Sequence, residues 1–537
     1  MKRIILFLAI TVSIAAYGQN DSISNSFVSD FNTFTQYLEE THPDPYTVFG
    51  GKMNFRRTVQ SVREDMEKVT DINDFRDILT AFMARLEDGH TFLFSGNTDN
   101  AQQSNKYFPI AFKIATDGLF IESTTKELSE HVGSKLLAIN NISVEEVLQK
   151  AKAFQGVENE YGAMYNLCNQ MSNQVSAEKL LGEFSIVELK LQNDKDGVYN
   201  LNVNYVDKPD RVSVKSKVEI SGDNNLLYSA ILKKENVAYL AWNSFTSREI
   251  LEGIEPYTSN FNGNANWVYS AMQVKRPDDD IEAFNKMPEL YKIFSSLLEQ
   301  MKDRKTQYLI IDLRNNSGGM TPLCMPLLYM MYGDDYLNYY SDAQYNTLLS
   351  PLLLKTRYSM TIDDFNKKWN TDYRVGDYIF RNFFAYNEDQ TIEEKRKDLS
   401  LITYNNGIGK QYTENLNGVP IYRPHVIILC SPQTFSAAYH FTYLLTQVGK
   451  ATVVGVPSRQ AGNAFMETIM FELPNTKVKG SISNSEQVMF PDDPEKGKIL
   501  MPDFPMMWTD YKKYNFDKNA EILYCIDLIN QGVIGSK

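Results

Sequence analysis

A parallel α/β sheet covered by helices is predicted by three features in the second half of this 537-residue chain. Two segments, QYLIIDLRNNSGG at 307–319 and HVIILCSPQTFSAAYHF at 425–441, are β-branched apolar runs, each ending in a polar turn that opens a helix. A third apolar run, ATVVG at 451–455, follows a helix over 436–448 that Gly449 closes, giving a β-α-β order. Strands apolar on both faces suit a sheet buried on both sides, which is the habit of parallel sheets.

The remaining elements follow in chain order. MKRIILFLAITVSIAAYGQN opens the chain with Lys2 and Arg3, an apolar stretch from Ile4 to Ala16, and small residues before Gln19. It reads as a secretory signal over 1–18, cleaved near Gly18, because the apolar stretch is too short to span a bilayer. Apolar residues then recur at helical spacing: Phe27, Phe31, Phe34 and Leu38; Phe55, Val59, Val62 and Met66; Phe75, Leu79, Phe82 and Leu86. These define an N-terminal helical domain over 22–106. Its third helix ends at LEDGHT, with Gly89 as the left-handed residue after the helix and His90 opening the next segment. Residues 107–208 turn strand-like, and 228–245 reads as a hairpin entering a core that runs over 209–537. Within that core, 333–422 is an insertion far longer than an ordinary connection and rich in Tyr, Phe and Asn (Tyr336, Tyr339, Tyr340, Tyr345, Phe383, Phe384). It serves either as a lid over a site or as a small packed subdomain.

Composition narrows the function. The chain is 43% hydrophobic with a formal charge of −13, and loss of 1–18 moves the charge to −15. Such an acidic protein is a poor ligand for nucleic acid or an anionic membrane surface, and no stable membrane insertion is expected once the signal is cleaved. Cys168, Cys324, Cys430 and Cys525 are far apart in apolar surroundings, which favours buried free thiols over a disulfide framework. His42, His90, His131, His425 and His440 show no metal-ligand spacing, so no metal or cofactor is implied. Oligomeric state cannot be read from these patterns.

Ser436 begins a helix, where unpaired N–H groups and the dipole favour developing negative charge. A serine there is either an N-cap or a nucleophile. As a nucleophile it needs a base and two amide donors, and the N–H of Ala437 with that of Gly318 or Gly319 would form the oxyanion pair. Glycine at 318 and 319 lets backbone approach substrate without a Cβ in the way.

At IIDLRNNSGG (310–319), TFSAAYHF (434–441) with ATVVG after it, LEDGHT (86–91) and MPDF (501–504), the chain resembles the tail-specific, or C-terminal processing, serine peptidases. FKIATDGLFIES…VGSKLLAINNISVEEV is similar to that family's PDZ-like module. The resemblance implies a ClpP/crotonase-like core that cuts peptide bonds of proteins or peptides with Ser436, in a secreted or periplasmic endopeptidase with a PDZ-like β-rich module at 107–208. Many members use a lysine beyond the serine, but Ala461 stands at that place and Arg459 stays protonated. The tricorn-like branch uses a histidine in the stretch matching LEDGHT, here His90, whose imidazole suits proton transfer near neutrality. His440, one turn after Ser436, competes for the role. In that branch a glutamate orients the histidine through a preceding serine; Glu495 matches the glutamate, but Gly89 stands at the serine's place, which leaves Glu486 and Asp88 as alternatives. A catalytically silent ligand- or peptide-binding protein on the same scaffold is the rival reading.

Overall fold

The computed structural model describes residues 25–94, 106–220, 225–382, 386–402 and 408–534. The signal assigned to 1–18, and Phe383 and Phe384 of the insertion, lie outside the described residues.

The centre is a six-stranded sheet in the spatial order 504–505, 452–455, 425–430, 308–312, 237–242, 227–232. Every neighbouring pair is parallel except 227–232 with 237–242, the hairpin expected from 228–245. Side chains alternate between two cores: Leu309, Ile311, Val426 and Ile428 enter one, and Ile310, Ile427, Leu429 and Val454 enter the other. This two-sided burial is why the runs read as continuously apolar. The first core is covered by helices Ser259–Met272, Leu290–Arg304, Met325–Tyr332 and Ala437–Val448, and the second by helix Ala520–Asn530.

A five-stranded sheet joins three distant parts of the chain. Strand Lys479–Val488 pairs with Phe92–Leu93 from the N-terminal region, with Gln344–Leu348 from the insertion, and with Asn463–Glu472 from the core; Tyr378–Asn382 extends it beyond Gln344–Leu348. The N-terminal helices 25–41, Lys52–Met66 and Ile72–Ala84 bury the residues their spacing selects, with Phe31, Phe34, Phe55, Phe75 and Leu79 fully enclosed. Their core also takes in Leu349, Leu353, Phe471 and Ile482, so these helices share it with the insertion and the five-stranded sheet. This part of the insertion is thus packed against the N-terminal helices.

Residues 107–208 carry most of a seven-stranded sheet in which Ala111–Ala115 is an edge strand, with helix Glu160–Met171 beside it. The four cysteines are free thiols, and burial pushes those of Cys168 and Cys430 up to about 12. Among the described residues no helix is long and apolar enough to cross a membrane.

Candidate active site

Ser436 sits between the end of strand His425–Cys430 and helix Ala437–Val448, with φ 54° and ψ −123°. A non-glycine residue at positive φ is strained, and such strain concentrates where a side chain must be aimed. Ser436 makes no side-chain capping bond, so its hydroxyl is not engaged as an N-cap. The turn is braced from several directions: Gln460 Oε1 accepts the Ser436 N–H, Ser431 Oγ donates to the Arg314 carbonyl at 2.6 Å, and Thr434 Oγ1 donates to the Leu313 carbonyl at 2.8 Å.

The DLRNNSGG turn lies directly against it. A Cβ on Gly318, whose φ is 100°, would fall 2.6 Å from Ser436 Cβ and 2.9 Å from Ala437 N, an approach only glycine permits. The two glycines are not equivalent as donors. Gly318 N–H donates to Asn316 Oδ1 at 2.8 Å, and Asn316 is itself buried and donates to the Trp242 carbonyl at 2.6 Å. Gly318 is therefore corrected from a donor to a spacer, because its hydrogen is taken. The Gly319 and Ala437 N–H groups have no acceptor among the described residues and flank the serine.

His90 and Ser436 line one cavity of about 630 Å³, together with Gly319, Met320, Thr321, Pro322 and His440. The His90 ring stacks on Phe435 with centroids 4.6 Å apart, is 6% exposed, and has neither ring nitrogen hydrogen-bonded. Its backbone is pinned on both sides: His90 N–H donates to Asp88 Oδ1 at 2.8 Å, and Ser481 Oγ donates to the His90 carbonyl at 2.9 Å.

The carboxylate beside the imidazole is Glu158, which the sequence reading missed. Its Oε1 lies 3.7 Å from His90 Nδ1 and accepts the Gly89 N–H at 3.1 Å, while Oε2 accepts the Ala461 N–H at 2.8 Å. Glu495 is corrected: its side chain is 85% exposed and pairs with Lys498 at 3.0 Å, because it lies on a short surface helix, Pro494–Lys498. Glu486 accepts from Asn346 at 3.1 Å. Asp88 holds the segment together, accepting from the His90 N–H and from Thr91 Oγ1 at 2.5 Å, with His42 Nε2 3.3 Å from Oδ2. Burial alone would push the Asp88 carboxyl up, but His42 beside it, the nearby His90 imidazole and the Thr91 bond leave it below the ordinary carboxylate range.

Gly89 has a different role from the one its spacing suggested. The left-handed residue after the helix is Glu87, with φ 53°. A Cβ on Gly89 would lie 2.9 Å from both Glu158 Oε1 and Phe435 Cζ, so glycine is required by close approach. His440 shares the cavity, but burial pushes its imidazole down to about 3 and Thr321 Oγ1 lies 2.9 Å from Nδ1, which makes it a poor proton acceptor near neutrality. Arg459 is buried between the rings of Tyr165 and Phe435, with its guanidinium 4.2 and 4.3 Å from their centroids. His42, His131 and His425 are engaged by Asp88, Tyr199 and Thr452. Asp88, His90 and Glu158 bring ligand atoms within 4.8 Å of one another, a spacing a cation accepts, yet the carboxylate oxygens already receive protein hydrogens.

A glycine-backed serine at a strained strand-to-helix turn, on a parallel sheet and in one cleft with an imidazole, is the equipment of a serine-type peptidase. Residues 280–485 match the model of peptidase family S41. Two solved structures share the fold over most of their length: mature CPAF (14% identity, TM-score 0.55, 94% of this chain and 98% of that one) and mature CPAF complexed with lactacystin (15% identity, TM-score 0.54, 94% and 99%). The photosystem II D1 C-terminal processing protease is also similar, at 10% identity and TM-score 0.37 over 91% of this chain and 94% of that one. No curated protein matches the chain.

Proposed function

We propose that this chain is a secreted serine endopeptidase that cleaves peptide bonds through an acyl-enzyme on Ser436, with His90 as general base and Glu158 as the group that orients it. The observation that carries this is the shared cavity of an uncapped Ser436 and a His90 ring fixed by Phe435 and Glu158. His90 Nε2 takes the Ser436 hydroxyl proton as Oγ attacks the substrate carbonyl, and the oxyanion forms against the N–H groups of Gly319 and Ala437. The protonated imidazole then gives its proton to the leaving amine, and water repeats the sequence on the ester. Among the described residues no hydrogen bond joins the two side chains, and catalytic hydrogen bonds often tighten only when substrate binds.

The serine relay that the resemblance requires is absent here, and the structure supports a direct substitute. Glu158 fills the space that a side chain at 89 would occupy, and its other oxygen is held by the backbone of Ala461, where related enzymes carry a lysine. The apolar stretch in 1–18 supports export, and the free edge of Ala111–Ala115 beside helix Glu160–Met171 supports a PDZ-like module that takes a peptide by strand addition.

Fluorophosphonate labelling tests the assignment. Capture by the wild-type protein should vanish in Ser436→Ala and fall at least about a hundredfold in rate in His90→Ala. Absence of capture in folded wild-type protein would overturn the peptidase reading and favour a binding protein on this scaffold.

A further inference from the structure

The wall of the cleft opposite the serine differs in charge from the rest of the molecule. The chain has a formal charge of −13, yet the charged side chains lining the cavity are Arg357, Arg381 and Glu467, apart from its two histidines. Glu467 pairs with Arg357, which also donates to the Thr468 carbonyl at 3.4 Å. Arg381 has no ion-pair partner among the described residues; its guanidinium lies over the Tyr345 ring at 4.8 Å, on the residue directly across the strand pair. An exposed guanidinium stacked on an aromatic face keeps its in-plane N–H donors for a planar acceptor.

The backbone builds this arrangement. Strand Asn463–Glu472 pairs in register with Lys479–Val488 on either side of Glu467, but Glu467 itself is skipped and has φ 59°. The register is the same on both sides, so no residue is inserted; the left-handed backbone at Glu467 is a local kink in the strand, and its carboxylate pairs there with Arg357 in the cleft wall. The result is one compensated arginine and one uncompensated arginine, both supplied by the insertion. Met320, Pro322, Met325 and Met466 give the same cavity an apolar lining.

We propose that the cleft selects peptides bearing a carboxylate, which Arg381 binds through its free guanidinium edge while apolar substrate side chains lie on the methionine wall. This rests on Ser436 marking the cleft as the peptidase site. The carboxylate comes either from an Asp or Glu side chain or from the free C-terminus of the peptide. Because the whole-molecule field repels anions, the preference belongs to residues that reach Arg381 and not to acidic proteins in general.

The test uses internally quenched peptides that differ only by Glu or Gln, walked through each position near the cleaved bond, and a further pair ending in a free acid or an amide. Wild-type kcat/KM should favour the carboxylate in one pair by about tenfold. That ratio should fall close to one in Arg381→Gln, and Arg381→Glu should prefer Lys at the same position. A preference in the Glu/Gln series assigns a side chain, and one in the acid/amide pair assigns the terminus. The inference is overturned if wild-type shows no preference in any pair, or if the preference survives Arg381→Gln. Binding of the same pairs to Ser436→Ala protein by fluorescence anisotropy separates the two readings. Lost labelling with a retained, Arg381-dependent binding preference removes the peptidase and keeps the carboxylate subsite, whereas labelling without preference does the reverse.

Discussion

Glu158 accepts from two amides, those of Gly89 and Ala461, and its Oε1 lies 3.7 Å from His90 Nδ1. The two amides fix where the oxygens lie, so the carboxylate beside the imidazole is itself immobilised. Glu158→Gln keeps the shape and removes the charge. It should lower kcat by about a hundredfold with little change in KM, since the charge that orients the imidazole and offsets its positive charge in the transition state is gone. A loss of folding stability with an unchanged kcat would show that Glu158 serves structure alone. Nothing local marks this residue in VENEYG, where Glu158 and Glu160 differ by one position on either side of Asn159. Its partners stand 69 and 303 residues away, so only the tertiary fold distinguishes it. Gly89 was misread for a related reason: a glycine after a helix usually relieves backbone strain, whereas here it makes room for that distant carboxylate.

At the level of elements, the site is two turns pressed together. The serine turn and the DLRNNSGG turn end adjacent parallel strands, in a register that pairs Asp312 with Leu429, and Phe435 N–H donates to the Asn316 carbonyl at 3.1 Å. Gly318→Ala should abolish fluorophosphonate capture, because the added methyl meets Ser436 Cβ and Ala437 N, and should lower unfolding free energy by about 1–3 kcal/mol from the positive φ. Capture at the wild-type rate in that variant would mean that the turns are not in contact during reaction. This pair of turns was legible because each follows a strand buried on both faces, a pattern that survives without tertiary context. The oxyanion donor was only half legible: two consecutive glycines were visible, but that Asn316 consumes the first N–H depends on its burial under Trp242. The charge of the insertion's cleft face was hidden for the same reason, since Arg357 and Arg381 lie in separate elements that meet only through the five-stranded sheet.

Over the whole molecule, a buried charge network ties the β-rich module to the core. Lys113 on the edge strand pairs with Glu521 at 2.8 Å, and Glu521 pairs with Arg314 at 2.6 Å, which pairs with Asp312 at 2.6 Å. Burial alone would push the Glu521 carboxyl up, but the charges of Lys113 and Arg314 outweigh it and bring it down to about 2. A carboxyl lowered on folding stabilises the protein above its unfolded value of 4.5, and that contribution is lost as pH falls toward 2. Glu521→Gln should destabilise by about 3–5 kcal/mol at pH 7, since it removes the buried carboxylate that Lys113 and Arg314 share and leaves Lys113 with Glu122 at 3.5 Å, and the deficit should shrink as the pH drops below 4.5. Chemical denaturation at pH 7 and pH 4 checks both; an equal deficit at the two values would show that charge is not the cause.

The strand Lys479–Val488 has a consequence for the order in which activity appears. His90 is anchored to it through Ser481, and Phe92 pairs with Ser481 in the same sheet, so the early segment finds its place only on a partner made nearly four hundred residues later. During synthesis, a chain halted between Ser436 and that strand carries both the hydroxyl and the imidazole but lacks the strand on which the second is anchored. On the mechanism proposed above, cutting would begin only once that strand is made, and fragments released before it would be harmless to the cell that makes them.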